Sequence, residues 1–161
     1  MNTLMLELSR LDESDRKIST IPYSRFINFE DRFLLTSLWA DYYFFVNTVE
    51  RTYRLAMILY EMLGETEKAI QIKLSHTFDN VRKFRNGIEH LYEDAAKPGG
   101  EFYNQHRTMG PDREIFIGAL SFKASESSLQ VLYQIYDDIS NIIEQKYVIP
   151  NKEIVDRLGL K

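Results

Sequence analysis

The sequence predicts an all-α protein, an antiparallel up-and-down bundle of four main helices with a long loop between the third and the last. Three observations predict it. Apolar and aromatic residues recur at alternating three- and four-residue spacing through most of the chain. Residues that start and stop helices flank those runs. Gly and Pro concentrate in one stretch, Asp94 to Glu114 (DAAKPGGEFYNQHRTMGPDRE), where Pro98-Gly99-Gly100 and Gly110-Pro111-Asp112 forbid a continuous helix. With 161 residues, 44% apolar and 13% aromatic, the chain can bury one core, and a single domain over residues 1–161 is expected.

A weaker helix is expected in the first twenty residues. The longest begins at Asn28, with Asp31 three residues on, and stops at Gly64. Its stripe is Leu35, Leu38, Tyr42, Phe45, Val49, Ala56, Leu59 and Leu63. Leu34, Trp39, Tyr43, Phe44 and Ile58 widen that stripe beyond what one neighbouring helix covers, so the helix is expected to be central or at an oligomer interface. A further helix runs from about Thr66, with Leu74, Phe78, Val81 and Phe84 on one face, into Phe84 to Tyr92. Ile115 to Phe122 (IFIGALSF) reads equally as a short extended segment or as the lead-in to a helix. Ser125 or Ser127 caps the last main helix, with stripe Leu129, Leu132, Tyr136, Ile139 and Ile143, which ends before Pro150. The tail after Pro150 suits one short helical turn.

The chain has no Cys, which excludes disulfide scaffolds, thiolate zinc sites and cysteine nucleophiles. The leucines near the N-terminus are interrupted by Glu7, Arg10 and Asp12, unlike a signal peptide. No apolar run approaches the roughly 18 residues of a membrane span, so a soluble cytoplasmic protein is expected. A net charge of −4 argues against a nucleic-acid coat protein, and any nucleic-acid contact must be local. Arg82, Lys83 and Arg85 cluster together, and His76, His90 and His106 all fall between Ser75 and Arg107.

The segment FRNGIEHLY, Phe84 to Tyr92, carries the candidate chemistry. Asn86 with Glu89 three residues later has capping-box spacing, so a fresh helix start or kink is expected at Asn86. Arg85 and His90 would then be neighbours at a helix N-terminus, a favourable place for an anion. An unbroken helix would instead point them about 140° apart. Arg grips phosphate bidentately, and His both takes and returns a proton near neutrality. The pair suits attack of a ribose 2′-hydroxyl on its own phosphodiester, with no metal or other cofactor required. The same residues also read as an exposed Arg and a hydrogen-bonded His at a kink. His76 reads as an ordinary surface residue. Phe102 to Arg107 (FYNQHR), with His106 and Arg107, could stack a base and contact phosphate, or simply anchor the loop.

Arg85-Asn86-Gly87-Ile88-Glu89-His90-Leu91-Tyr92 resembles the signature of the HEPN superfamily, Arg-x4-His with a polar residue after the Arg. Tyr92 extends it to the Arg-x4-His-x-Tyr form of HEPN toxins paired with a minimal nucleotidyltransferase antitoxin. The resemblance covers residues 28 to 147 once the bundle is included. It implies a homodimer that cuts RNA without a metal in a cleft where two copies of the motif meet. Arg85 and His90 would be catalytic, Asn86 positioning, and Tyr92 supporting or regulatory, a target for nucleotide addition. Apart from the resemblance, Arg82 of the basic cluster is a candidate substrate-binding or supporting residue. Glu89 beside His90, the acidic total and the glycine-containing loop depart from a typical toxin of this kind, and some HEPN domains are noncatalytic RNA-binding or interaction modules.

Overall fold

A computed structural model describes residues 2–19, 29–96, 107–109, 114–117 and 120–159. Helix α1 (Asn2–Ser19) lays Leu4, Leu8 and Leu11, one turn apart, against helix α2 (Phe29–Met62). At 34 residues α2 is about 51 Å long. It buries Leu38, Tyr42, Phe45, Val49, Tyr53 and Tyr60, and α1, α3 (Thr66–Leu74), α4 (His76–Ala96) and α5 (Glu126–Ile143) all pack on it. That breadth accounts for Trp39 and Tyr43, which pack against the core, whereas Phe44 and Ile58 stay exposed. Gly64 ends α2 at φ +77°, a conformation costly for any residue with a Cβ. The N–H of Glu65 bonds the Tyr60 carbonyl at 2.8 Å and that of Gly64 the Glu61 carbonyl at 3.1 Å, the Schellman pattern.

The helix expected from Thr66 onward is two helices. Ser75 between them is extended, at φ −68° and ψ 139°. Its hydroxyl donates to the Ile72 carbonyl closing α3 and accepts from the Phe78 N–H opening α4. The turn leaves Leu74 exposed rather than on the apolar face. Helix α4 buries Phe78, Val81, Phe84 and Ile88. Three contacts fix its direction against α2: Tyr43 with Glu89, Asn47 with Arg85, and Tyr53 with Phe78. Numbers rise along one helix as they fall along the other, so the pair is antiparallel.

The structure is mostly helical, and the exception lies between α4 and α5. Strands β1 (Arg107–Met109), β2 (Glu114–Ile117) and β3 (Leu120–Lys123) form an antiparallel sheet in that order. Ile115 pairs with Phe122 and Phe116 with Ser121, so alternation sends Ile115 and Phe122 into the core. Phe122 lies 6.1 Å from Phe45 of α2 and 5.4 Å from Phe84 of α4, ring centre to ring centre, and joins the three elements. Helix α5 starts at Ser125, whose backbone N–H is taken by the Ser128 hydroxyl at 3.2 Å. Leu129, Leu132 and Ile139 are buried as expected, but Tyr136 and Ile143 are exposed; Ile135 and Ile142 pack on the core in their place. A π turn (Glu144–Val148), a 3-10 turn holding Pro150 and the short α6 (Lys152–Arg157) follow. Among the described residues no helix is long and apolar enough to cross a membrane.

One polar cluster ties α2, α3 and α5 together. The Lys68 ammonium lies 2.9 and 2.6 Å from the two Asp138 oxygens, and the Tyr60 hydroxyl donates to Asp138 at 2.7 Å. The Lys68 hydrogen bond, with help from Tyr60, holds the Asp138 carboxyl below the usual carboxylate range. A carboxylate depressed in the folded state stabilises fully above its unfolded pKa and loses that stabilisation as pH falls through the folded one. Asp138→Asn is therefore expected to be less stable than the parent at neutral pH, with the gap closing below about pH 4. Urea unfolding across that range measures it; a gap constant with pH would show that the ionised carboxyl contributes nothing.

Candidate functional site

Asn86-Gly87 does not break the helix: α4 runs unbroken from His76 to Ala96. Keeping Gly87 inside the helix costs about 1 kcal/mol, less than is gained by burying Phe84 and Ile88 on either side of it. Asn86 is therefore no helix cap, and Arg85 and His90 do not sit at a helix N-terminus. They are five residues apart on one helix, about 140° apart in direction. The neighbour that Arg85 does acquire is Glu89, one turn on.

The Arg85 side chain is 29% exposed, at the seam between α4 and α2. Its Nη2 lies 2.7 Å from Glu89 Oε1, its Nη1 donates to Asn86 Oδ1 at 3.0 Å, and its Nε donates to Asn47 Oδ1 of α2 at 3.3 Å. Asn47 is itself oriented, because its Nδ2 donates to the Tyr43 carbonyl at 2.9 Å, one turn back. The Tyr43 hydroxyl meanwhile donates to Glu89 Oε1 at 3.4 Å. Helix α2 thus braces both members of the Arg85–Glu89 pair. Guanidinium carries five N–H groups, of which three are engaged, one on each nitrogen. One N–H is left on Nη1 and one on Nη2, beside the Glu89 carboxylate.

His90 is exposed and lies one turn beyond Asn86, on the outer face of α4 with Lys83. Arg82 is about 60° around the helix from Arg85 and pairs with Asp79 at 2.9 Å, which Lys83 also reaches at 2.6 Å. Lys83 and then Arg82 hold the Asp79 carboxyl below its ordinary range. Asp79 offsets part of that basic cluster. His76 is exposed, its Nδ1 3.2 Å from Asn80 Nδ2, in keeping with a surface role. Tyr92 continues α4 on the Arg85 side, seven residues on, but its side chain lies outside the described residues, as do His106, Pro98-Gly99-Gly100 and the Arg107 side chain. Among the described residues no group of three His, Asp or Glu is placed to hold a metal ion.

Sequence reasoning missed Asn47 and Tyr43, which sit in an ordinary helical stripe far from the motif. Only an unstripe-like Asn amid Tyr43, Phe44, Phe45, Val46 and Val49 signalled them. Comparison of the chain with known protein families, curated proteins and solved structures gave no match.

Proposed function

We propose that residues 1–161 form a single HEPN-like helical domain, an up-and-down bundle of α1, α2, α4 and α5, that cleaves RNA in the cytoplasm as part of a toxin–antitoxin or defence system. Attack of the ribose 2′-hydroxyl on its phosphodiester needs no metal. The observation that carries the reading is Arg85, braced by Asn47 and Asn86 on the same helix as an exposed His90. Arg85 stabilises the charged transition state, His90 takes and returns the proton, and Asn86 positions Arg85. Tyr92, Arg82, His106 and Arg107 support the RNA path, and Tyr92 is the target of a partner nucleotidyltransferase. Cleavage of varied RNAs by the parent chain but not by His90→Ala is the test.

One protomer points Arg85 and His90 apart, so the reading includes a homodimer in which His90 faces the partner's Arg85. Phe44, Leu55, Ile58 and Met62 of α2, exposed by 51 to 75%, lie on one side of that helix. The stripe passes about 60° around α2 from Asn47, and the Phe44 ring lies 6.0 Å from that of Tyr43. A two-fold contact built on it borders the Arg85 seam. Sedimentation is expected to find a dimer at micromolar concentration, and Phe44→Glu with Leu55→Glu a folded monomer. A parent chain that sediments as a monomer removes this part of the reading.

A noncatalytic dimerisation or RNA-binding module is the second reading. The Arg85–Glu89 ion pair favours it, since a carboxylate 2.7 Å away neutralises the catalytic cation.

A further inference from the structure

We infer that Glu89 is an internal competitor for the phosphate at Arg85, a latch that RNA must displace before the guanidinium can grip it. The inference rests on the proposed ribonuclease site and concerns its regulation. Bidentate recognition of a phosphate uses two N–H groups of adjacent guanidinium nitrogens. Here each of the three nitrogens already donates to the protein, and the shortest contact, 2.7 Å, is to the Glu89 carboxylate.

The latch is built from both helices. Spacing of four residues on an unbroken α4 brings Glu89 to Arg85, and the Tyr43 hydroxyl of α2 holds the same Glu89 oxygen that faces Nη2. Asn47 and Asn86 contact Nε and Nη1, and neither is charged. When Glu89 swings away, those two amides still hold the guanidinium in place while Nη2 is released. Glu89 is 33% exposed, so its carboxylate can move into solvent without crossing the core. Its charge meanwhile repels an approaching phosphate, and the site stays closed to weakly held anions. A single strand that makes several contacts opens it.

The test is anisotropy of a labelled single-stranded RNA titrated with the full chain at several salt concentrations. Glu89→Gln keeps the length of the side chain and its acceptor for Tyr43 while removing the charge. It is expected to bind about tenfold more tightly. Freeing one cation adds about one phosphate contact, so log affinity should fall more steeply with log salt, by about 0.7 in slope. That change in slope should vanish when Arg85→Ala is combined with Glu89→Gln, an outcome no general loosening of the fold produces. If the parent binds RNA and Glu89→Gln binds with the same affinity and slope, the latch is overturned and the ribonuclease reading survives. If neither protein binds RNA, both fall.

Discussion

His90→Ala is expected to lower RNA cleavage by about 10²- to 10⁴-fold, the range for losing a general acid–base group. Arg85→Ala is expected to lower it by about 10²- to 10³-fold, as loss of one transition-state donor does. Arg85→Lys should not restore the rate, because an ammonium offers no planar fork to Asn47, Asn86 and phosphate together. Both alanine variants should keep the parental helical signal and melting temperature closely. His90 is exposed, and Arg85 leaves behind a Glu89 that still accepts from Tyr43 and reaches water. Chelator added to the parent should leave the rate unchanged. Parental cleavage by either folded variant would falsify the assigned chemistry.

Phe84→Ala is expected to have the largest effect on stability, a loss of about 3–5 kcal/mol. Phe84 is fully buried and its ring lies between α4 and Phe122 of β3, which in turn touches Phe45 of α2. Its removal opens a cavity where helix, sheet and helix meet, and neighbours held by two other elements cannot collapse far into it. For a domain of this size the melting temperature should drop by roughly 6–20 °C. Phe84 also directly precedes Arg85, so cleavage should weaken below the unfolding temperature as the seam with Asn47 loosens. Urea unfolding measures the first effect; a loss under 1 kcal/mol would mean that the aromatic junction does not hold α4 in place.

The helices were legible because their signals are local. The helix in the first twenty residues, the stripe of α2 and the Gly64 stop depend on spacing along the chain and on one backbone angle, and the structure follows them. Leu129, Leu132 and Ile139 of α5 are legible for the same reason. The ambiguity of Ile115 to Phe122 was equally physical: a short apolar run has no period of its own, and pairing with β1 and burial of Ile115 against Phe122 made it strand.

Residue types and order by themselves determined a mostly helical chain, the extent of its central helix, and the presence of Arg85, Asn86 and His90 within one short segment. Only the tertiary structure decided where those residues point. Asn86-Gly87 prefers to interrupt a helix, yet Phe84 and Ile88 gain more from the core than the interruption would, so α4 continues. That continuity turns His90 away from Arg85 and turns Glu89 toward it. Asn47 and Tyr43 complete the arrangement from 38 and 46 residues away along the chain. No local rule anticipates them, because their contact with α4 exists only once α2 and α4 have packed in antiparallel register, and that register is set by the sum of many buried apolar contacts rather than by any one pair.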